Sequence, residues 1–340
     1  NIHGIRNLLY RQPQRSLIPE EHHGTTWVGR QTADAIRRSR TRPFFIWSGW
    51  IAPHPPFAPP AELADLYKDA DIPEPMPEPE TPNRNITGQN LSMDAATAEK
   101  VDRIRRLYYA NVTHVDKAIG MVLEALEETG QLDNTLIIFT SDHGEMLGDC
   151  GRWSKSQPHD SSVRVPFIVR WPRGFEPGTV RHDFVDNLDI VPTVLDACDI
   201  EYPTDMDLPG ESLLLGPGAG IRRRDEHYIE NGRGQGRKIS LRGERYKYNF
   251  WFADGLEELF DLQEDPYELT NLLHGDPDAE TTEVRDRMRA RLAAYEARYG
   301  LTDGSLEPAE GEPKEPWPPG ENLPSNNWQF HMHTLNMLPE

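Results

Sequence analysis

The spacing of apolar residues predicts helices alternating with strands over the first two thirds of the chain. From about Ala95 to Glu128, apolar side chains recur at steps of three and four residues, as on one buried face of a helix. The same spacing predicts helices over 25–40 and over VDNLDIVPTVLDAC. The runs RPFFIWSGW, LIIFT and VPFIVRWP are aromatic and β-branched instead, and predict buried strands. This order predicts an α/β fold, a mostly parallel sheet flanked by helices.

The pattern changes after about residue 222. Three short strands, KISLRG, RYKYNFWF and ELFDL, are separated by turn residues and predict an antiparallel meander. An amphipathic helix is predicted over TTEVRDRMRARLAAYEARYG, and the residues beyond it are rich in Pro and Glu. We therefore predict an α/β domain over 1–222, a smaller C-terminal subdomain of antiparallel sheet plus helix over 223–300, and an irregular tail over 301–340.

The charge of the chain narrows the choice of partners. Its 56 acidic residues outnumber its 36 Lys and Arg residues, for a formal net charge of -20. A general nucleic-acid binder needs a basic face to displace phosphate counterions, so we predict no nucleic-acid partner. No run approaches the roughly 20 apolar residues of a membrane span, and we predict no membrane partner either.

Ionisable residues are concentrated in FTSDHGEMLGDCGRWSK, directly after the predicted strand LIIFT. In open α/β sheets, ligands bind beyond the carboxyl ends of the strands, which is where Asp142 and His143 are predicted to lie. A carboxylate suits Ca²⁺ or Mg²⁺, whereas an imidazole is more usual with transition metals. The alternative is that Asp142 caps a turn and His143 bonds to the backbone, since Asp-His-Gly is also a favourable turn sequence.

Three segments together resemble the sulfatase family of the alkaline-phosphatase-like superfamily. The segment SDHGEMLGDCGRWSKSQPHDSSVRVPFIVRWP is similar to a family signature of Ser-Asp-His/Asn-Gly, an acidic Gly-rich stretch, Lys and Arg-Val-Pro. The segment IAPHPPFAPP resembles the His-Pro-Pro-Phe loop of the family, and ERYKYNFWFADGLEELFDLQEDPYELTNL resembles its C-terminal subdomain. The resemblance covers roughly residues 15–300, and it is the combination of segments that is specific.

The resemblance implies a role for four residues, and a fifth is suggested by its place in the sequence. Asp142 and His143 match two metal ligands, usually of Ca²⁺ and less often of Mg²⁺. Lys155 matches the lysine that holds the sulfate oxygens, and His54 matches a histidine that contacts the sulfate or the leaving oxygen. His159 follows the lysine and is expected to face the substrate. The expected activity is hydrolysis of a sulfate monoester on a small molecule or saccharide, in a periplasmic or secreted protein.

The family nucleophile has no match in the chain. It comes from a Cys/Ser-x-Pro-x-Arg motif whose first residue becomes formylglycine, and neither Cys150 nor Cys198 begins such a motif. The nearest match begins at Ser156 but places Asp160 where Arg is required, and we reject it. We therefore expect the C-terminal two thirds of a sulfatase, inactive alone and partnered by a missing N-terminal segment. The alternatives are a phosphonate or phosphodiester hydrolase of the same superfamily, and a non-catalytic sulfatase-like binding protein.

Overall fold

The computed structural model describes residues 13–39, 41–79, 98–201, 210–214 and 224–309. Its helices are α1 (Gly24–Arg38), α2 (Ala61–Leu66), α3 (Ala98–Glu128), α4 (Asp160–Val163), α5 (Ile190–Ala197) and α6 (Ala279–Tyr299). Its strands are β1 (Ile137–Thr140), β2 (Phe167–Arg170), β3 (Glu226–Asn231), β4 (Lys238–Gly243), β5 (Tyr246–Trp251) and β6 (Leu256–Asp261). The long predicted helix is confirmed as α3.

Helices α1 and α3 pack against each other along their apolar faces. Ala33 and Ile36 of α1 meet Ala125 and Leu126 of α3 in one buried cluster. The contact is close because Gly29 has no side chain: a Cβ there would lie 2.8 Å from the carbonyl oxygen of Ala118. This pair of helices forms the base on which the site loops rest.

The first two strands form an antiparallel pair, with Ile137 opposite Arg170. The sequence predicted a mostly parallel sheet and made no prediction for this pair. Large sheets of mixed direction often carry an antiparallel edge, which periodicity alone does not reveal. The predicted strand RPFFIWSGW is extended but forms no ladder with any described residue, and its Phe45 and Trp47 are exposed.

The predicted C-terminal meander is confirmed. Its strands lie in the order β3-β4-β5-β6, all antiparallel. The polar sequence EHYIEN gave no strand signal, so β3 was missed. One face of the sheet packs on α6, and the core between them contains Ile239, Leu241, Tyr248, Phe250, Leu259, Val284, Met288 and Leu292. Leu306 is buried in the same core, so the packed subdomain continues past residue 300.

The other face of this sheet is polar and also buried. Successive strand residues point to opposite faces, so the residues between the apolar ones form a second surface. Lys238, Ser240, Lys247, Asn249 and Glu258 lie on it and are all buried. The segment that follows β1, residues 141–163, covers part of this face through Asp160 and His159. The subdomain thereby contacts the segment that carries most of the predicted site.

Candidate active site

Asp142 and His143 lie side by side at the end of β1. Nε2 of His143 is 3.4 Å from Oδ2 of Asp142, and the Asp142 side chain is exposed. Nδ1 of His143 is 2.8 Å from the carbonyl oxygen of Gly144, and since a carbonyl only accepts, Nδ1 must be the donor. A neutral ring then leaves the lone pair on Nε2, the arrangement that metal-binding histidines adopt.

Gly144 explains why the segment can turn back here. A Cβ at this position would lie 2.2 Å from the carbonyl oxygen of Ser161, too close for any side chain. Its N–H instead donates to the carbonyl of Ser162, at 2.7 Å, in α4. The Asp-His-Gly sequence is thus fixed against the α4 end of the same segment.

The donors at Asp142 and His143 fit part of a metal site. Ca²⁺ takes six to eight oxygen ligands, and Mg²⁺ takes about six. In the described ranges, no group of three or more His, Cys, Asp or Glu side chains could hold a metal ion. The pair offers one carboxylate and one imidazole, so further ligands are needed to complete a coordination sphere.

Lys155 and His54 meet although 101 positions separate them in sequence. Nζ of Lys155 is 2.8 Å from Nε2 of His54. Nδ1 of His54 donates to the carbonyl of Pro55 at 2.7 Å, so the neutral ring presents a lone pair at Nε2. The Lys155 ammonium is therefore the donor in this contact, and its two other N–H bonds are directed away from the imidazole.

Glu145 is a site residue that sequence reasoning missed, because it was interpreted as an ordinary loop carboxylate. Its side chain accepts hydrogen bonds from the backbone N–H groups of Ser154 and Leu147, across the loop. Burial raises its pKa, and the hydrogen bonds from Ser154 and Leu147, followed by the charge of Lys155, act in the opposite direction. Through Ser154, Glu145 connects the part of the segment that carries His143 to the part that carries Lys155.

His159 does not join this group. Its side chain is only 3% exposed, and its ring lies 6.4 Å from the ring of Phe260 on the polar face of the C-terminal sheet. Burial, followed by the nearby cations of Arg152 and Lys247, holds its pKa well below the ordinary value. The structure places His159 in the contact between loop and subdomain, and its role toward a substrate stays a prediction.

The structure also shows the surroundings of Cys150 and Asp160, two residues that entered the search for a nucleophile motif. Cys150 is buried, and burial raises its thiol pKa to about 11, so it is a poor nucleophile. Asp160, which interrupts the near match to the nucleophile motif, pairs with Arg242 at 3.0 Å and Lys247 at 2.9 Å. Its carboxylate is turned toward the C-terminal sheet, which supports rejecting that match.

Comparison with models of known protein families identifies the family of this chain. Residues 4–200 match the model of the family described as Sulfatase, and residues 148–298 match a model described as N-sulphoglucosamine sulphohydrolase, C-terminal. The first match covers more than half of the chain. The chain therefore belongs to the sulfatase family.

Individual relatives show how far the likeness extends. The chain is 34% identical over 301 residues to an arylsulfatase of Clostridium perfringens, covering 84% of this chain and 61% of that protein. It is 32% identical over 193 residues to an N-acetylglucosamine-6-O-sulfatase of Bacteroides thetaiotaomicron, covering 54% of this chain and 34% of that protein. The chain thus spans about three fifths of the length of the first of these relatives.

A solved structure confirms the fold class. The phosphonate monoester hydrolase of Silicibacter pomeroyi superposes with a TM-score of 0.72 at 25% identity, covering 86% of this chain and 66% of that one. The fold is alkaline-phosphatase-like, with the C-terminal four-stranded sheet and helix described above. None of the described helices is both long and apolar enough to cross a membrane.

Proposed function

We propose that this chain carries the sulfate-binding part of a sulfuric ester hydrolase, with Lys155 and His54 holding the sulfate group of a monoester. The observation that carries the proposal is the 2.8 Å contact between Nζ of Lys155 and Nε2 of His54, formed by two loops far apart in sequence. An ammonium at this place neutralises charge on a tetrahedral oxyanion, as hydrolysis of a sulfate ester requires. The 34% identity to an arylsulfatase supports the same reaction class.

The residues of the site divide the work between them. Lys155 donates N–H bonds to the sulfate oxygens, and His54 accepts one of its protons and so fixes where the ammonium points. A proton taken up at Nε2 of His54, in place of the hydrogen bond from Lys155, would let the ring act as the acid toward a leaving oxygen. Glu145 accepts a hydrogen bond from the backbone N–H of Ser154, the residue before Lys155, and so helps to fix the loop that carries the lysine. Hydrolysis also needs a nucleophile, which no residue of this chain matches, so the activity is proposed for a protein that combines this chain with such a residue.

Calcium is the metal we propose for Asp142 and His143, with Mg²⁺ as the less favoured choice. A divalent cation bound there would supply Lewis-acid stabilisation of charge on the ester oxygens. The support is the hard carboxylate donor beside an imidazole whose Nδ1 is fixed by Gly144. Calcium titration followed by calorimetry tests this without any turnover: Asp142→Asn should abolish the binding heat, and an unchanged heat would contradict the proposal.

A sulfated saccharide is the substrate class we propose. The support is the 32% identity to an N-acetylglucosamine-6-O-sulfatase, over just more than half of this chain. A phosphonate monoester is the second candidate, favoured by the likeness to a phosphonate monoester hydrolase over 86% of the chain. Both esters carry one negative charge on a tetrahedral centre, so Lys155 and His54 do not distinguish them by charge. Competition between an aryl sulfate and an aryl phosphonate monoester for the chain would separate the two.

Binding of inorganic sulfate, the product of the proposed reaction, tests the function directly. Isothermal titration should detect sulfate binding to the chain, and Lys155→Ala should weaken the affinity by at least about tenfold, because a charge-assisted hydrogen bond is lost. Lys117→Ala is the matched control. Lys117 is an exposed lysine of α3 that pairs with Glu20. Equal affinity of the wild-type chain and Lys155→Ala would sink the proposal.

A further inference from the structure

The loop that carries Lys155 is strained. Leu147, Cys150, Ser154 and Ser156 have positive φ angles of 48°, 55°, 67° and 73°, although none of them is glycine. Residues with a Cβ rarely adopt this conformation, and they keep it only where the surroundings determine it more than once. Since Ser154 and Ser156 flank Lys155 on both sides, the position of the ammonium depends on whatever anchors the loop.

One anchor comes from helix α3, on the N-terminal side of the loop. The buried guanidinium of Arg105 donates to the carbonyl of Leu147 at 3.1 Å and to the carboxylate of Asp149 at 3.2 Å. Asp149 also accepts from the backbone N–H of Met76. Its carboxylate accepts from the hydroxyl of Ser161 at 2.8 Å as well, so this anchor holds the first half of the loop and reaches its far end, but none of these hydrogen bonds is made to residues 150–160.

The other anchor comes from the C-terminal subdomain, on the far side of Lys155. Asp160 lies five positions after the lysine (160 - 155 = 5). Its carboxylate is 2.9 Å from Nζ of Lys247 on β5, and its backbone N–H donates to Glu268 at 2.6 Å. Lys247 is also 2.6 Å from Glu268, which closes a triangle of three residues. Arg242 on β4 adds a second cation at Asp160, at 3.0 Å.

We propose that Asp160, Lys247 and Glu268 are positioning residues through which the C-terminal subdomain holds Lys155 against His54. Their catalytic consequence rests on the proposed role of Lys155 in binding sulfate, whereas their effect on the loop does not. The triangle joins three separate parts of the chain: the site loop, strand β5 and the turn after β6. Its connection to Lys155 is short and runs through Gln157 and His159, both of which are buried.

The electrostatics of the triangle fit an anchor rather than a surface contact. The side chains of Lys247 and Glu268 are almost fully excluded from solvent, so neither charge is tolerable without its partners. Burial alone would raise the pKa of Asp160, but Lys247 and Arg242 outweigh it and hold the pKa at about 2. Lys247 and Arg242 thus face Asp160 and Glu268 as two cations against two carboxyl groups, and burial raises the pKa of Glu268.

Lys247→Met is the variant that tests this, because methionine keeps an unbranched side chain and removes the charge. We would follow backbone hydrogen exchange of residues 146–163 in the full chain by mass spectrometry. The amides of Met146 and Gly148, which bond to Ser154 and Arg152, report loop order directly. Exchange across the loop should accelerate by about tenfold or more, while β4, β5 and α6 keep their protection.

Arg245→Met is the matched control. Arg245 precedes β5, and its guanidinium pairs with Asp261 at 2.8 Å and lies over the ring of Tyr246, away from the loop. It should leave loop exchange unchanged. If Lys247→Met does not fold, Asp160→Asn is the variant that decides. It removes the carboxylate charge of Asp160 from the loop and leaves the ion pair between Lys247 and Glu268 in place. Unchanged loop exchange in the folded variant, or equal loosening of α6 and the loop, would overturn the proposal.

A double-mutant cycle on sulfate affinity separates positioning from general stability. Lys247→Met should weaken sulfate binding by about tenfold in the wild-type background and have no further effect in Lys155→Ala. Equal effects in both backgrounds would show that the triangle does not act through Lys155. If the wild-type chain binds no sulfate at all, the proposed function fails, and the hydrogen-exchange result still decides whether the triangle orders the loop.

Discussion

The two faces of the C-terminal sheet use the same strands for different purposes. On the α6 side, Ile239, Tyr248 and Leu292 form an apolar core, with a buried ion pair between Arg237 and Glu296 beside it. On the opposite side, equally buried residues are polar or charged and contact the loop of Lys155. Apolar packing tolerates exchange of similar volumes, whereas a polar contact is satisfied in only one arrangement. The difference suggests that one face stabilises the subdomain and the other fixes the register of the site loop.

Leu292→Ala should have the largest effect on stability, because it removes the centre of the apolar face. Leu292 is fully buried on α6, so its truncation loses burial and leaves a cavity. We expect the free energy of unfolding to fall by about 2–5 kcal/mol in denaturant titrations. Leu301→Ala is the control, since Leu301 is 66% exposed and should change stability by less than about 0.5 kcal/mol. A small effect of Leu292→Ala would show that the α6 face is not the stabilising one.

Lowering the pH should reduce the free energy of unfolding through the ion pair of Arg237 and Glu296, which lies beside the apolar face. Burial would raise the pKa of Glu296, but hydrogen bonds from Arg237 and Tyr228 hold it at about 2, below the ordinary 4.5. A lowered carboxyl pKa gives stability that is complete above the unfolded pKa and is lost as the pH falls toward the folded one. Lowering this carboxyl pKa from 4.5 to about 2 contributes about 3 kcal/mol to stability, of which about 2 kcal/mol should be lost by pH 3.

Glu296→Gln isolates this contribution. The difference in unfolding free energy between the wild-type chain and Glu296→Gln should be large at pH 6 and shrink as the pH is lowered to 3. Leu292→Ala provides the comparison, because it removes no titratable group and its difference from wild type should not depend on pH. A Glu296→Gln difference that stays constant between pH 6 and pH 3 would contradict the assigned pKa.

The spacing of apolar residues predicted the helices and strands that form the apolar core. It did not predict that the polar face of the C-terminal sheet is buried. The spacing in α3 and the alternation in β4 and β5 are local, so their helix and strands could be found from sequence. In the alternation of β5, Lys247 and Asn249 look solvent-exposed, yet both are buried, and Lys247 meets Asp160 in a loop 87 positions away (247 - 160 = 87). Such burial depends on tertiary contacts that no local pattern contains.

In the candidate site, too, some features could be predicted from the sequence and others could not. The contact of Lys155 with His54 was expected from the resemblance of two motifs, and the structure places the two side chains together. Glu145 was missed because a carboxylate in a Gly-rich loop has the composition of a turn, and its role depends on the backbone of Ser154 folding over it. The contact of His159 with Phe260 could not be predicted from sequence, because it joins the loop to a strand about 100 positions away (260 - 159 = 101).

Two neighbouring residues of β4 allow the smallest and sharpest test of the comparison. Ile239 points to α6 and Ser240 to the polar face, where its hydroxyl donates to the side-chain oxygen of Asn249 at 2.6 Å. Ile239→Val and Ser240→Ala each delete one heavy atom from a fully buried side chain. Ile239→Val should cost about 0.5–1.5 kcal/mol through lost packing. Ser240→Ala should cost about 1–3 kcal/mol, because the oxygen of Asn249 is left buried without its donor.

The two variants should also differ in where they loosen the protein. Because Asn249 in turn donates to Glu258 on the polar face, the Ser240→Ala defect should spread toward the loop and raise hydrogen exchange over residues 152–163. Ile239→Val should raise exchange in α6 and leave that loop unchanged, because its cavity opens only on the apolar side. If both substitutions loosen the same segment to the same extent, the two faces are energetically one unit, and the division of labour between them does not exist.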